Sequence, residues 1–269
     1  MSTPEYDLLV HQLKHLRLGR VAEVLDAHTQ RAVAANTLAP AASAGVSYLD
    51  FLRGLMQEAT SAHDTRIVNG RIKAAHFPYL KTLEQFDFSF QPGLSRQKIA
   101  DLATLRFVEN HDNIILLGPP GTGKTHVAIA LALKSCEAGH KVWFTTLADL
   151  VAQLHAAIAD HSLTARLKAL SQVDVLVIDE VGYVPLDKTG ADHLFQVIAR
   201  RYETGSITQS VTSNKAFTEW GNILGGDSVV ASAILDRLLH HSVVFNIKGE
   251  SYRLREKRDA LLKEEVPAH

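Results

Sequence analysis

Residues 116–128 read LLGPPGTGKTHVA, an apolar run that breaks into three glycines and two prolines before resuming as Lys-Thr and an Ala-rich pattern. Gly118-Pro119-Pro120-Gly121-Thr122-Gly123-Lys124-Thr125 fits the phosphate-loop spacing G-x-x-x-x-G-K-[ST]. Glycines let backbone N–H groups point at phosphate oxygens, and a helix starting at the loop adds its positive end. Lys124 is expected to reach the β- and γ-phosphates, and the Thr125 hydroxyl to coordinate Mg²⁺. The stretch expected to contact ATP runs from Gly118 to His126.

A second chemical signal is VDVLVIDE, residues 173–180, an apolar run that ends in two carboxylates. Such a pair at the end of a buried strand needs a cation nearby. Beside a phosphate loop, Asp179 would hold Mg²⁺, through water, and Glu180 would orient and polarise the attacking water. A third signal is SVTSN, which ends at Asn214, again at the tip of a strand. Strand C-terminal ends converge on the ligand crevice of a doubly wound sheet, so Asn214 is placed to orient the same water; an ordinary turn residue is the competing reading. His240-His241 is not expected to bind metal, because adjacent helical positions point in different directions. The single cysteine, Cys136, falls in a helical pattern after the loop and reads as a small core residue.

The elements that must position these groups follow from the pattern. NIILLG, KVWFTT, VDVLVIDE, SVTSN and SVVFNI are strand-like, and helix-length segments begin near Gly123, Leu147, Thr189 and Val229. That alternation predicts an α/β domain over 86–269, a parallel sheet sandwiched by helices. Residues 1–85 instead show two helical patterns, 7–33 and 47–75, around the linker AANTLAPAASAG, and predict a small all-helical domain. Ser47, followed by Asp50, is expected to cap the second helix. The N-terminus lacks a secretory pattern and no run is long and apolar enough for a membrane span, so a cytoplasmic location is expected. A formal charge of −1 excludes a globally basic nucleic-acid binder, which leaves local patches.

GPPGTGKT, the Asp-Glu strand end and the strand-terminal Asn together resemble the AAA+ superfamily of P-loop NTPases. More narrowly, TSNKAFTEWG and AILDRLLHHSVVFNIKGESYRL resemble the IstB family, helper ATPases of insertion sequences that act with an IstA transposase. The bacterial replicative helicase loaders are similar at greater distance. The resemblance implies that Asn214 is the polar sensor, that Arg237 in LDRLL is the arginine finger entering a neighbouring subunit's site, and that Arg253 in ESYRL is the second sensor arginine within its own subunit. Arg200 and Arg201, at a helix end, compete with Arg237 for the trans role. The chain continues only a short helix beyond Arg253, so no full C-terminal lid is expected.

The stretch 66–81, RIVNGRIKAAHFPYLK, carries Arg66, Arg71 and Lys73 without an acid; it reads equally as a DNA-phosphate patch and as a solvated helix face. HSLTARLKAL looks like the extra helix of the initiator and loader branch, which implies that Arg166 and Lys168 face DNA. With no zinc-finger spacing and no base-reading helix in view, binding is expected to be largely independent of sequence. These readings converge on a Mg²⁺-dependent ATPase that oligomerises on duplex DNA, with active sites at subunit interfaces, and delivers that DNA to a transposase. The alternative is a helicase loader that grips single-stranded DNA.

Overall fold

The computed structural model describes residues 3–38, 45–203 and 208–255. They form two compact units that divide between Gly70 and Arg71.

The first unit contains α1 (Pro4–His15), α2 (Gly19–Leu38) and most of α3 (Tyr48–Ala74). The continuous helical pattern read over 7–33 is in fact two helices. Leu18 N–H donates to the Leu13 carbonyl (2.8 Å) and Arg17 N–H to Lys14 (3.0 Å), with Arg17 at φ 60°. This is a left-handed helix ending at a position where glycine is usual, so the sequence gives little warning of it. Ser47 caps α3 as expected: its Oγ accepts from Asp50 N–H at 3.1 Å and donates to the Asp50 carboxylate at 2.7 Å. The first half of the linker is helical, since α2 runs on to Leu38; residues 39–44 lie outside the described residues. Val21, Leu25 and Leu55 form the buried core of this unit.

The division falls within α3, ahead of the boundary expected at residue 85. Residues 71–85 belong to the second unit for a packing reason. Ala75 is fully buried in a cluster with Phe144 and Phe245, and its carbonyl accepts from Phe144 N–H at 2.8 Å. The apolar side chains at Phe77, Leu83 and Phe86 pack on the same cluster.

The second unit holds α4 (Arg96–Leu102), α5 (Arg106–Glu109), β1 (Asn113–Leu117), α6 (Lys124–Glu137), β2 (Val142–Thr146), α7 (Leu147–Ala159), α8 (Leu163–Ser171) and β3 (Val175–Val181). It continues with α9 (Lys188–Glu203), β4 (Thr208–Ser213), a 3₁₀ turn at Phe217–Glu219, α10 (Trp220–Ile223), α11 (Ser228–His240) and β5 (Ser242–Asn246). The five strands are parallel, in the order β2-β3-β4-β1-β5. All five expected strands and the four expected helix starts are present, within a residue or two.

Both faces of the sheet are covered, which is why β1 reads as an unbroken apolar run. Alternate residues serve opposite faces. Ile115, Leu117, Leu176 and Ile178 pack with Leu150, Leu154, Leu194 and Ile234 from α7, α9 and α11. Ile114, Leu116, Val175 and Val177 pack with Ile129 and Leu131 of α6 and with Ile99 and Phe107. The register brings the strand ends level: Leu117 pairs with Ser213 and Asn246, and Thr146 with Asp179. The carboxyl edge of the sheet is therefore one crevice, where ligands of such sheets bind.

Candidate functional site

The loop after β1 turns back on itself through Gly121 (φ 80°) and Gly123 (φ 92°), conformations that side chains rarely adopt. Space excludes side chains there too: a Cβ at Gly121 would meet Ser251 Oγ at 2.0 Å, and one at Gly123 would meet the Phe86 ring at 2.5 Å. Gly123 caps α6, so the positive end of that helix faces the loop. Lys124 is 6 % exposed and its Nζ donates to the loop's own carbonyls, Gly118 and Pro119, both at 2.7 Å. Thr122 Oγ1 also donates to Pro119, at 2.9 Å. Burial holds the Lys124 ammonium below its ordinary pKa; Asp179 acts against that and Arg253 adds to it. Pro120 contributes rigidity without an N–H. The His126 ring turns away, its Nε2 meeting the Thr82 carbonyl at 2.7 Å, so this side chain does not face the loop.

Across from the loop, Asp179 ends the apolar part of β3 and is 5 % exposed. Thr125 Oγ1 donates to both of its oxygens, at 3.0 and 2.9 Å, and Thr212 Oγ1 donates to Oδ1. Thr125 and Asp179 thus converge as hard oxygen donors, the chemistry that suits Mg²⁺ held between protein, water and phosphate. Glu180 has φ 62°, uncommon for a residue with a Cβ, and its N–H donates to Thr212 Oγ1 at 3.1 Å. The pairing of β3 with β4 shifts register between Ile178 and Val181, which turns the Glu180 side chain outward while Asp179 stays buried. Two adjacent acids therefore occupy different environments, one facing the hydroxyl of Thr125 and one exposed. At the end of β4, Asn214 Oδ1 is buried without a hydrogen-bond partner among the described residues.

A cavity of about 590 Å³ opens over these groups and is lined by Thr125, Asp179, Glu180 and Arg253 on one side. Arg253 lies in a segment tied to the loop, where Tyr252 N–H donates to the Gly121 carbonyl at 3.0 Å. Residues 256–269, where the absence of a full lid was read, lie outside the described residues. The opposite wall holds Trp143, Gln153 and Arg166, with the Arg166 guanidinium 4.7 Å from the indole centroid and bonded to Gln153. Arg166, expected on a DNA-facing helix, lies in α8 but turns its head into this cavity; Lys168 of the same helix is exposed. Arg66 and Lys73 of α3 are exposed, and Arg71 is half-buried near Cys136.

The three trans-arginine candidates separate clearly. Arg201 is 1 % exposed, and its Nη1 donates to the carbonyls of Leu170 (2.6 Å) and Val173 (3.1 Å). Burial pulls its pKa down to about 9. Arg200 is exposed. Arg237 is half-buried on α11, packed against α9, and is not among the residues lining the cavity of its own subunit.

The sequence reading did not single out Thr212, Trp143 or Tyr79. Thr212 had a signal, a hydroxyl in a strand buried on both faces; it is 1 % exposed and ties Asp179 to the Glu180 backbone. Tyr79 lines the cavity, and burial, with Asp179 the next cause, raises its phenol pKa.

A family model described as IstB-like ATP binding protein matches residues 11–260. The chain is 47% identical over 251 residues to a protein of Pseudomonas aeruginosa named as an ATP-binding protein of insertion sequence IS21, covering 93% of this chain and 92% of that one. It is 48% identical over 218 residues to the corresponding protein of insertion sequence IS5376 from Geobacillus stearothermophilus, covering 81% and 86%. Among solved structures, DnaI superposes with a TM-score of 0.53 at 22% identity, over 62% of this chain and 90% of that one. AMPPCP-bound DnaA from Aquifex aeolicus gives 0.50 at 16%, over 70% and 56%. These two likenesses are of fold: the AAA+ arrangement of sheet and helices.

Proposed function

The chain belongs to the IstB-like ATP-binding protein family, and from that premise we propose that it assembles on duplex DNA with ATP, presents that DNA to a partner transposase and hydrolyses ATP when the partner engages. The insertion-sequence names of its relatives support the transposase as partner. ATP binding and the AAA+ fold are the family's own properties; the assembly, the DNA and the partner are our reading.

One observation carries it. The cleft beside the phosphate loop is lined by the Thr125–Asp179 pair, an exposed Glu180 and Arg253, yet Arg237, on α11, is not among its lining residues. A site built this way is completed by a neighbour's Arg237, so turnover depends on assembly. A guanidinium brought to the transferred phosphoryl group is worth about 10³–10⁵ in rate in related chemistry. Glu180 takes the proton side of the reaction, orienting water together with Asn214, whose buried Oδ1 has no hydrogen-bond partner among the described residues. Mg²⁺ bound between Thr125 and Asp179 would neutralise charge on the phosphates. Arg66, Lys73 and Lys168 are among the exposed cations available to DNA phosphates, with Arg71 and Arg166 less so.

Binding of labelled duplex and single-stranded DNA to the Glu180→Gln protein, followed by anisotropy with ATP and with ADP, tests this reading. Tighter binding of duplex in ATP is expected, weakening steeply with salt. Preference for the single strand would instead support a helicase-loader role.

A further inference from the structure

Arg237 is held in an aromatic cradle whose members have no role in the account so far. Its guanidinium carbon lies 4.9 Å from the Phe195 ring centroid and 5.9 Å from that of Tyr202. Phe195 and Tyr202 are seven residues apart on α9, two helical turns, so they share one face. Tyr202 is in turn held by α11: its hydroxyl meets His240 Nδ1 at 3.3 Å, and the two rings lie 5.8 Å apart edge to face. His240 is three residues beyond Arg237, on the same side of that helix. Arg237 Nη1 donates back to the Ala233 carbonyl at 3.0 Å, while its buried Nε has no hydrogen-bond partner among the described residues.

A planar cation gripped by two rings and one carbonyl keeps its direction but leaves most of its five N–H donors unused. A guanidinium serving only to join two helices would have acceptors around it, as Arg201 has in the Leu170 and Val173 carbonyls. Among the described residues, the groups that hold the Arg237 head are two rings and a carbonyl, none of them an acid. Its charge and its remaining Nη donors, not the buried Nε, are what an anion brought up from outside would meet.

We propose that Phe195 and Tyr202 are positioning residues for the trans-acting arginine: they hold the Arg237 head pre-aimed at the γ-phosphate bound by the adjoining subunit. This rests on the reading that Arg237 acts in trans. Pre-aiming matters because an arginine chain is long and flexible, and fixing its direction before assembly removes an entropic cost at the reaction step.

Mixed assemblies of full-length chains test both statements separately. A Lys124→Ala subunit cannot fill its own site but donates Arg237; an Arg237→Ala subunit has an intact site and no finger. Each alone should be inactive and the mixture should hydrolyse ATP with duplex DNA present. Placing Phe195→Leu in the donor should lower that restored kcat about tenfold with KM for ATP unchanged, and Phe195→Tyr in the donor should restore it. The same Phe195→Leu placed in the Arg237→Ala subunit should change nothing. Tyr202→Leu, at an exposed position, carries the same prediction if Phe195→Leu fails to fold. A donor lacking the rings that restores full kcat overturns the cradle. An Arg237→Ala protein that is active alone overturns the trans arginine itself, and the cradle with it.

Discussion

The unit that carries the phosphate loop and the helical unit ahead of it are made by different physical means. In the former, five strands are covered on both faces, and buried polar groups at the strand ends are held by neighbours, Asp179 by Thr125 and Thr212, and Ser213 Oγ by the Val181 carbonyl at 2.6 Å, with Asn214 Oδ1 the exception among the described residues. In the latter, Val21, Leu25 and Leu55 are the buried apolar core among the described residues, while Tyr48, Leu49, Leu52 and Met56 of α3 are exposed. A left-handed residue such as Glu180 costs about 1–2 kcal/mol and persists where packing over-determines it. The strand unit has that packing on every side. The helical unit, with so small a core, carries its left-handed non-glycine residue, Arg17, at a helix end, where backbone hydrogen bonds hold it. Chemistry demanding fixed geometry therefore sits in the strand unit, while the exposed cations suited to a salt-dependent contact are divided, Arg66 in the helical unit and Lys73 and Lys168 in the strand unit.

The sharpest way to break this contrast is to remove chemistry without removing packing. Lys124→Ala is expected to weaken ATP binding about a hundredfold, since charged hydrogen bonds to phosphate are lost. Glu180→Gln should retain ATP and lower turnover about 10²–10⁴-fold, as measured by phosphate release. Normal turnover in that variant would mean that the exposed carboxylate is not the water-orienting group.

Next in size is Arg201→Ala. It leaves two buried carbonyls without their donor, and should cost about 3–5 kcal/mol in denaturant unfolding while sparing trans complementation in the folded fraction. Normal stability with lost complementation would assign the trans role to Arg201 instead. A smaller effect separates the two cores. Leu116→Ala should cost about 4 kcal/mol and Leu55→Ala about 2, because the smaller cluster can collapse around its cavity. Only Leu116→Ala should alter ATP affinity. Equal costs would mean that the helical unit is as tightly packed as the sheet.

The smallest concerns Cys136, whose thiol burial pushes from 9.0 up to about 11. The native state keeps its proton where the unfolded chain loses it, so the contribution is full below pH 9 and declines as pH rises from 9 to 11. Melts across that window, compared with Cys136→Ala, measure the decline. Alkylation at pH 8 should be slow when native and fast when denatured.

How much was legible in the sequence follows the same division. The strands and the loop were readable because apolar runs and glycine spacing report burial on both faces and backbone that must lie close to phosphate. The carboxylate pair was readable for its placement, but the outward turn of Glu180 comes from a register shift between β3 and β4, a non-local event. The break at Arg17 was hidden because a non-glycine residue adopts the left-handed conformation. Residues 71–85 were read with the helices because α3 runs through the division unbroken, while Ala75 and Phe86 answer to a core built by distant strands. The turn of Arg166 toward Trp143, and of Arg237 toward Phe195, depends on helix packing that no local pattern encodes.

The most direct test of the central claim is the mass of the assembly on long duplex DNA, by light scattering after size exclusion, with ATP and with ADP, and again on a single strand. A large complex that forms on duplex with ATP and falls apart with ADP is the predicted result. Assembly on the single strand alone, or the same mass with either nucleotide, would contradict it.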